Sequence, residues 1–240
     1  MGRTLGVIAD RVDAQSMPAV VVGHEALGQH LTRLVLTSPE LATATTDPCD
    51  VTAFRVSRTE FRHYTPATID QRARELTIIV HRHGSGLGEE LVASWSVGSD
   101  VRVCRWSSTR SFRWQRGVDP VVLLGDATVI SLAMAVAGRA ADEGRDALIV
   151  LEVDAGDVEA TRGLVPDAIV VAAEGEPGRA LDAWLVDHVA DVAALPAPAI
   201  YLAGHGQSIQ RQRARLRDVG GIDRRRISTQ PYWATGRSGL

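Results

Sequence analysis

The chain has 240 residues, and a hydrophobic fraction of 45% with 23% charged residues excludes an intrinsically disordered protein. A net charge of −3 excludes global attraction to nucleic acid or to acidic membranes. All 26 basic residues are arginine, which excludes a Schiff-base lysine or a lysine general base.

The opening Met1-Gly2-Arg3-Thr4-Leu5 has no apolar h-region, and no window approaches 18 uncharged apolar residues. A cytoplasmic chain without membrane insertion is expected. Short β-branched or alternating runs follow at 19–23, 31–36, 51–56, 76–80 and 101–104, separated by Gly, Pro, Asp and Thr clusters. Runs spaced this way predict a small antiparallel β-barrel. One helix over 87–94 interrupts them, entered through Gly84-Ser85-Gly86-Leu87-Gly88. A break falls at 116–120. The two cysteines, Cys49 and Cys104, form neither a disulfide framework nor a tetrahedral metal set, and reduced thiols are expected.

The second half alternates apolar strands with helices. Strands are expected at 121–125, 147–153, 168–173 and 199–203, with helices over about 129–142, 179–192 and 208–219. That alternation predicts a parallel α/β sheet. Two domains result, a β-barrel over 1–117 and an α/β domain over 118–240.

Several groups along this frame carry chemistry. In Arg62-His63-Tyr64-Thr65-Pro66 a guanidinium can pair with a phosphate while an aromatic ring lies against a planar heterocycle; a strand end with a surface arginine is the plainer alternative. Gly84, Gly86 and Gly88 open a helix and can present N–H groups to a pyrophosphate, or simply supply positive φ. His81 and His83 share one side of a strand, but no third ligand lies near in sequence, and no metal is assigned. Gly125-Asp126-Ala127-Thr128 ends the first parallel strand, where Asp126 or Thr128 either caps a helix or faces a ligand. His205, in Ala203-Gly204-His205-Gly206, lies at the same sheet edge and can exchange a proton near neutral pH. Arginines at 211, 213, 215 and 217 spread around a helix rather than forming one basic face, so no nucleic-acid surface is read from them.

Taken in order, Arg62–Pro66, His83-Gly84-Ser85-Gly86 with Gly98-Ser99-Asp100, Gly125–Thr128, and the closing Gly221-Ile222-Asp223…Tyr232-Trp233-Ala234-Thr235-Gly236 resemble the siderophore-interacting proteins. These are flavin-binding members of the ferredoxin-reductase-like superfamily. The resemblance implies an FAD-dependent oxidoreductase that reduces a ferric siderophore or similar chelate, with NADH or a reduced ferredoxin as electron donor. It implies that Arg62, Tyr64, Thr65, His83, Gly86 and Gly88 hold the flavin. Thr128 and Trp233 would line the cofactor or donor side, and His205 and Asp126 would serve catalysis. The chain departs from the family pattern at Ala67, where a second arginine is usual, and at Cys104–Ser108, where a glycine-rich turn is usual. It departs again at His205, where a glutamate is usual, and at Glu174, where an arginine commonly meets a 2′-phosphate. Those departures keep two alternatives open: a non-redox enzyme of the same fold acting on a small organic metabolite, and a non-catalytic siderophore-binding protein. The oligomeric state is not legible.

Overall fold

A computed structural model of the chain describes residues 2–82 and 86–237. The chain divides into two compact units, Met1–Ser108 and Thr109–Leu240. Among the described residues no helix is long and apolar enough to cross a membrane.

The first unit contains α1 (Gly2–Ala14), β1 (Met17–Ala26), β2 (Leu31–Thr37), β3 (Val51–Arg55), β4 (Phe61–Tyr64), β5 (Thr68–Asp70), β6 (Glu75–His81), α2 (Leu87–Ser94) and β7 (Asp100–Ser107). The strands form one antiparallel sheet in the order β4-β3-β7-β1-β2-β6-β5, curled as a half-barrel. Alternation in the sequence places its core: Leu34 and Leu36 of β2 pack with Val21, Phe54, Ile78 and Val103. Register shifts at Val21/Gly23, where an added Cβ would sit 3.1 Å from the Val35 side chain.

The second unit contains β8 (Val121–Asp126), α3 (Ile130–Asp142), β9 (Ala147–Val153), α4 (Val158–Leu164), β10 (Ile169–Ala172), α5 (Arg179–Ala194), β11 (Ala199–His205), α6 (Gly206–Asp218) and β12 (Ile227–Trp233). Every strand pair is parallel, in the order β10-β9-β8-β11-β12. The continuous apolar runs Val121–Leu124 and Ala199–Leu202 are buried, as strands covered on both faces must be. The chain first steps from β8 out to β10 and then returns to the other flank of β8. The C-terminal ends of β8 and β11 therefore meet where the winding reverses, the usual ligand edge of an open α/β sheet.

Sequence and structure differ in places. The strand expected over 101–104 runs on through the stretch where a glycine-rich turn is usual in the family: β7 reaches Ser107 and pairs Ala53 with Cys104 and Val51 with Ser107. Three short elements, β4, β5 and α4, and the N-terminal helix α1 join the expected set. Residues 109–118 go with the second unit, where Phe112 and Trp114 pack against Tyr201 and the Tyr201 hydroxyl donates to Arg113 O at 3.1 Å. The two cysteines are free thiols. Burial, with Asp50 and Asp47 nearby, pushes the Cys49 thiol up, far from nucleophilic use.

Candidate functional site

In the first unit, β4 and α2 bring two of the sequence motifs together. Gly88 lies in the first turn of α2, and a Cβ there would stand 2.7 Å from the Tyr64 hydroxyl and 3.2 Å from Arg62 Cγ. A larger residue here would have to push the Tyr64 hydroxyl and the Arg62 stem aside. Gly86 is the residue before the helix, with φ of 129° and no side-chain cap. Tyr64 packs its ring on Phe54 at 5.5 Å, and burial pushes its phenol up to about 12, Arg62 opposing and Glu89 adding to the shift. Arg62 is a third exposed, donates to Phe61 O at 3.1 Å, and has the Glu60 carboxylate only at 3.9 Å. Its guanidinium keeps most of its donors for another anion. Thr65 is buried behind it. Two features oppose an anion here: Glu89 and Glu90 in the first turn of α2, and a buried Ala67 in place of a second cation. His83 lies outside the described residues.

In the second unit, the end of β8 carries a hub. Asp126 Oδ1 accepts from the Thr128 N–H at 2.9 Å and from the Thr128 hydroxyl. Its Oδ2 accepts from the His205 N–H at 2.7 Å and from the Trp233 indole N–H at 2.9 Å. One carboxylate thus caps the turn into α3 and ties together β8, β11 and β12. Expected as an acid–base group, Asp126 spends its lone pairs on four fixed donors and acts by holding its neighbours. Gly204 is required beside it, because at φ of 106° a Cβ would lie 2.5 Å from Asp126 Oδ2. Thr128 likewise turns its hydroxyl inward to Asp126.

His205 ends β11 with 5% exposure. Its Nδ1 lies 2.7 Å from Ser208 Oγ and its Nε2 lies 3.0 Å from Thr235 Oγ1. The ring packs on Trp233 with centroids 4.4 Å apart. Burial lowers its pKa, while Asp126 pulls the other way and Arg211 adds to the lowering. The imidazole lines a concave pocket of about 470 Å³ with Glu176, Arg179, Asp182, Gln207, Arg211 and Thr235 among its walls. Arg211 pairs with Asp182.

Sequence reasoning passed over three residues here. Glu152, the one acid in the apolar run of β9, is 4% exposed and accepts from the Gly178 and Leu181 N–H groups at 2.7 Å each. It closes the start of α5 with the protein's own carboxylate. Burial raises its pKa and the two backbone donors counter this. A lone carboxylate inside a buried strand was the available signal. Ser208 and Thr235 offered none, since a hydroxyl in a helix turn or a tail follows no pattern.

Four expected residues (Asp126, Thr128, His205, Trp233) therefore meet at one sheet edge, and Arg62, Tyr64 and Gly88 meet in the other unit. Residues 118–236 match the family model described as siderophore-interacting protein. No curated protein sequence matches the chain significantly. Among solved structures, the siderophore-interacting protein of Acinetobacter baumannii superposes with a TM-score of 0.72 at 16% identity, covering 93% of this chain and 92% of that one. The siderophore-interacting protein of Aeromonas hydrophila gives 0.68 at 20% identity, with 91% and 99% covered. The FAD/NAD-binding domain of nitric oxide dioxygenase from Vibrio cholerae gives 0.69 at 17%, again with 91% and 99% covered. The fold is that of the ferredoxin-reductase-like proteins.

Proposed function

We propose that this chain, whose residues 118–236 match the siderophore-interacting-protein model on a reductase-like fold, is an FAD-dependent oxidoreductase that reduces a ferric siderophore or similar chelate in the cytoplasm. The observation that carries it is the cradle at Gly88, kept open by a missing Cβ beside Arg62 and Tyr64. Arg62 pairs with a flavin phosphate, Tyr64 packs on the ring, and Thr65 supplies a hydroxyl near it. A flavin held there would supply the chemistry of two-electron uptake from a nicotinamide and one-electron delivery to ferric iron. At the strand ends of the second unit Asp126 and Thr128 hold the turn, Trp233 packs on His205, and His205 lines the donor pocket, where it exchanges a proton at Nε2. Glu174 and Glu176 follow β10, and Glu176 lines that pocket. Their charge repels a 2′-phosphate, which favours NADH over NADPH; a reduced ferredoxin is the other donor.

The test is the visible spectrum of the purified protein before and after FAD and then NADH. Flavin bands that survive gel filtration, bleach with NADH and recover on a ferric siderophore are expected. A protein that stays colourless at high FAD concentration would sink the proposal. The acidic first turn of α2 and the apolar Ala67 favour one second reading, a non-redox enzyme acting on a small organic metabolite with His205 as its acid–base group. Turnover of such a metabolite by colourless protein would support it.

A further inference from the structure

The second unit is electrically lopsided. Residues 206–226, which are α6 and the turn into β12, hold seven arginines and two aspartates, a net charge of +5 in a chain of −3. Arg211 is engaged with Asp182. Arg213, Arg215, Arg217 and Arg224–Arg226 pair with no acid among the described residues, and the Arg213 Nε has no acceptor there. Asp223 gives its carboxylate to the Arg225 N–H at 2.9 Å rather than to a guanidinium. The 13 residues of α6 run back along the sheet and carry the chain about 20 Å from His205. The Ile222 N–H then returns to Leu216 O at 3.1 Å, and β12 begins at Ile227 beside Ile200, near the start of β11. The last turn of α6 and the triple arginine thus share the N-terminal edge of the sheet. There the Gln115 amide donates to Ser228 Oγ at 3.4 Å and brings the exposed Arg116 alongside. At the bend between helix and turn, Val219 is 64% exposed. The arginines of α6 alone make no basic face; the turn gathers a basic end.

We propose that this end of the second unit docks on an anionic lipid surface, with Val219 among the headgroups and Arg215, Arg217 and Arg224–Arg226 on lipid phosphates. A guanidinium offers a planar fork that pairs bidentately with phosphate. An apolar residue rimmed by cations is the form of an interfacial contact that lies on a membrane without spanning it. Screening decides the sign of the interaction. At physiological salt, charges act over about 8 Å, so the basic end meets the surface while acids elsewhere on the chain do not. Asp187 and Asp191, in the last two turns of the neighbouring α5, bound the patch on that side and leave the strip along β12 as the contact. Nucleic acid fits less well, because residues 206–226 hold no aromatic ring to stack on a base. For a reductase of an imported chelate, the contact keeps the enzyme at the surface by which the chelate enters. That use rests on the reductase reading; the lipid contact does not.

The test is flotation of the full chain with vesicles of phosphatidylcholine alone or with about 40% phosphatidylglycerol, at about 0.1 M salt and again at about 0.5 M. No flavin or reductant is present, so failure here is distinguishable from failure of the reductase reading. Binding only to the anionic vesicles, lost at the higher salt, is expected. Each arginine at such a surface is worth about fivefold in affinity. The triple variant Arg224→Gln, Arg225→Gln, Arg226→Gln is therefore expected to bind about a hundredfold more weakly, and the double variant Arg215→Gln, Arg217→Gln about twentyfold. The double variant carries the test if the triple one fails to fold. Val219→Ser is expected to weaken binding several-fold with the salt dependence unchanged. Arg11→Gln, Arg33→Gln and Arg72→Gln together remove the same charge from the first unit and are expected to leave binding within about twofold of wild type. No binding, equal binding to neutral vesicles, or equal weakening in the first-unit variant would overturn the proposal, as would tighter binding to a single-stranded oligonucleotide or to polyglutamate.

Discussion

Replacing Asp126 by Asn measures how much the hub holds. The amide has one acceptor oxygen where the carboxylate has two, and the cheaper orientation keeps it on the His205 N–H and the Trp233 indole. The amide nitrogen then faces Thr128, whose hydroxyl can rotate to accept from it, but the Thr128 N–H loses its partner. A lost cap bond costs about 1 kcal/mol. Three remaining bonds change from charged to neutral acceptor or reverse direction, at about 0.5 kcal/mol each in this half-exposed place. The total is about 2–3 kcal/mol, or roughly 6–10 °C in the melting temperature of the α/β unit. Urea unfolding followed by far-ultraviolet circular dichroism reads the loss, with the exposed Glu159→Gln as control, expected within about 0.5 kcal/mol of wild type. An Asp126→Asn variant that matches the control would refute the four-donor account.

Three further outcomes follow from the same geometry. Because burial lowers the folded-state pKa of His205, the unfolded chain binds the extra proton first as pH falls. Its contribution to stability is full above the ordinary histidine value and is lost as pH drops through the folded value; stability against pH for wild type and His205→Gln checks this, and identical slopes below neutrality would disprove it. Arg62→Ala is expected to weaken flavin binding at least about tenfold with little effect on folding, whereas Glu89→Gln is expected to tighten it several-fold by removing a like charge. Flavin fluorescence titrations give both signs, and equal affinities in all three proteins would remove the phosphate role. Gly88→Ala pushes on the Tyr64 hydroxyl, the movable end of a side chain, so it should cost about 1 kcal/mol of stability while weakening flavin binding more than Thr65→Ser does.

Much of the fold was legible because burial writes a pattern. Val121–Leu124 and Ala199–Leu202 are continuous apolar runs, and only strands covered on both faces have that form. The short elements were not: β5 is Thr68–Asp70, three residues at a sheet edge, too brief for any period to show. The helix α1 carries Gly2 and Gly6, poor helix formers, in its first half. The strand at 101–104 was read short, since Ser107 and Ser108 carry no strand pattern of their own, yet β3 supplies partners through Ser107. At the site, Asp126, Thr128 and His205 could be placed together because each ends or follows an expected parallel strand, and parallel strands end at one edge; Trp233 joined them only through the resemblance carried by Tyr232–Gly236. How they bond could not be read. That Asp126 also ties in Trp233 and that Thr235 closes on His205 depends on side-chain directions between residues 107 and 30 apart in the chain, and Ser208, one helical turn from His205, follows no pattern.

The path from Glu152 through Gly178, Pro177 and Ser208 to His205 crosses two strands, a turn and a helix without following the chain. Substitutions along it will not add. Once Ser208 is cut back to alanine, replacing Gly178 has no hydroxyl left to displace, and its residual cost is the remaining contact with the residue-208 Cβ and the strain of its positive φ. A systematic double-mutant scan would therefore group these residues as one epistatic unit, although Glu152 and His205 share neither a neighbourhood in sequence nor a direct bond.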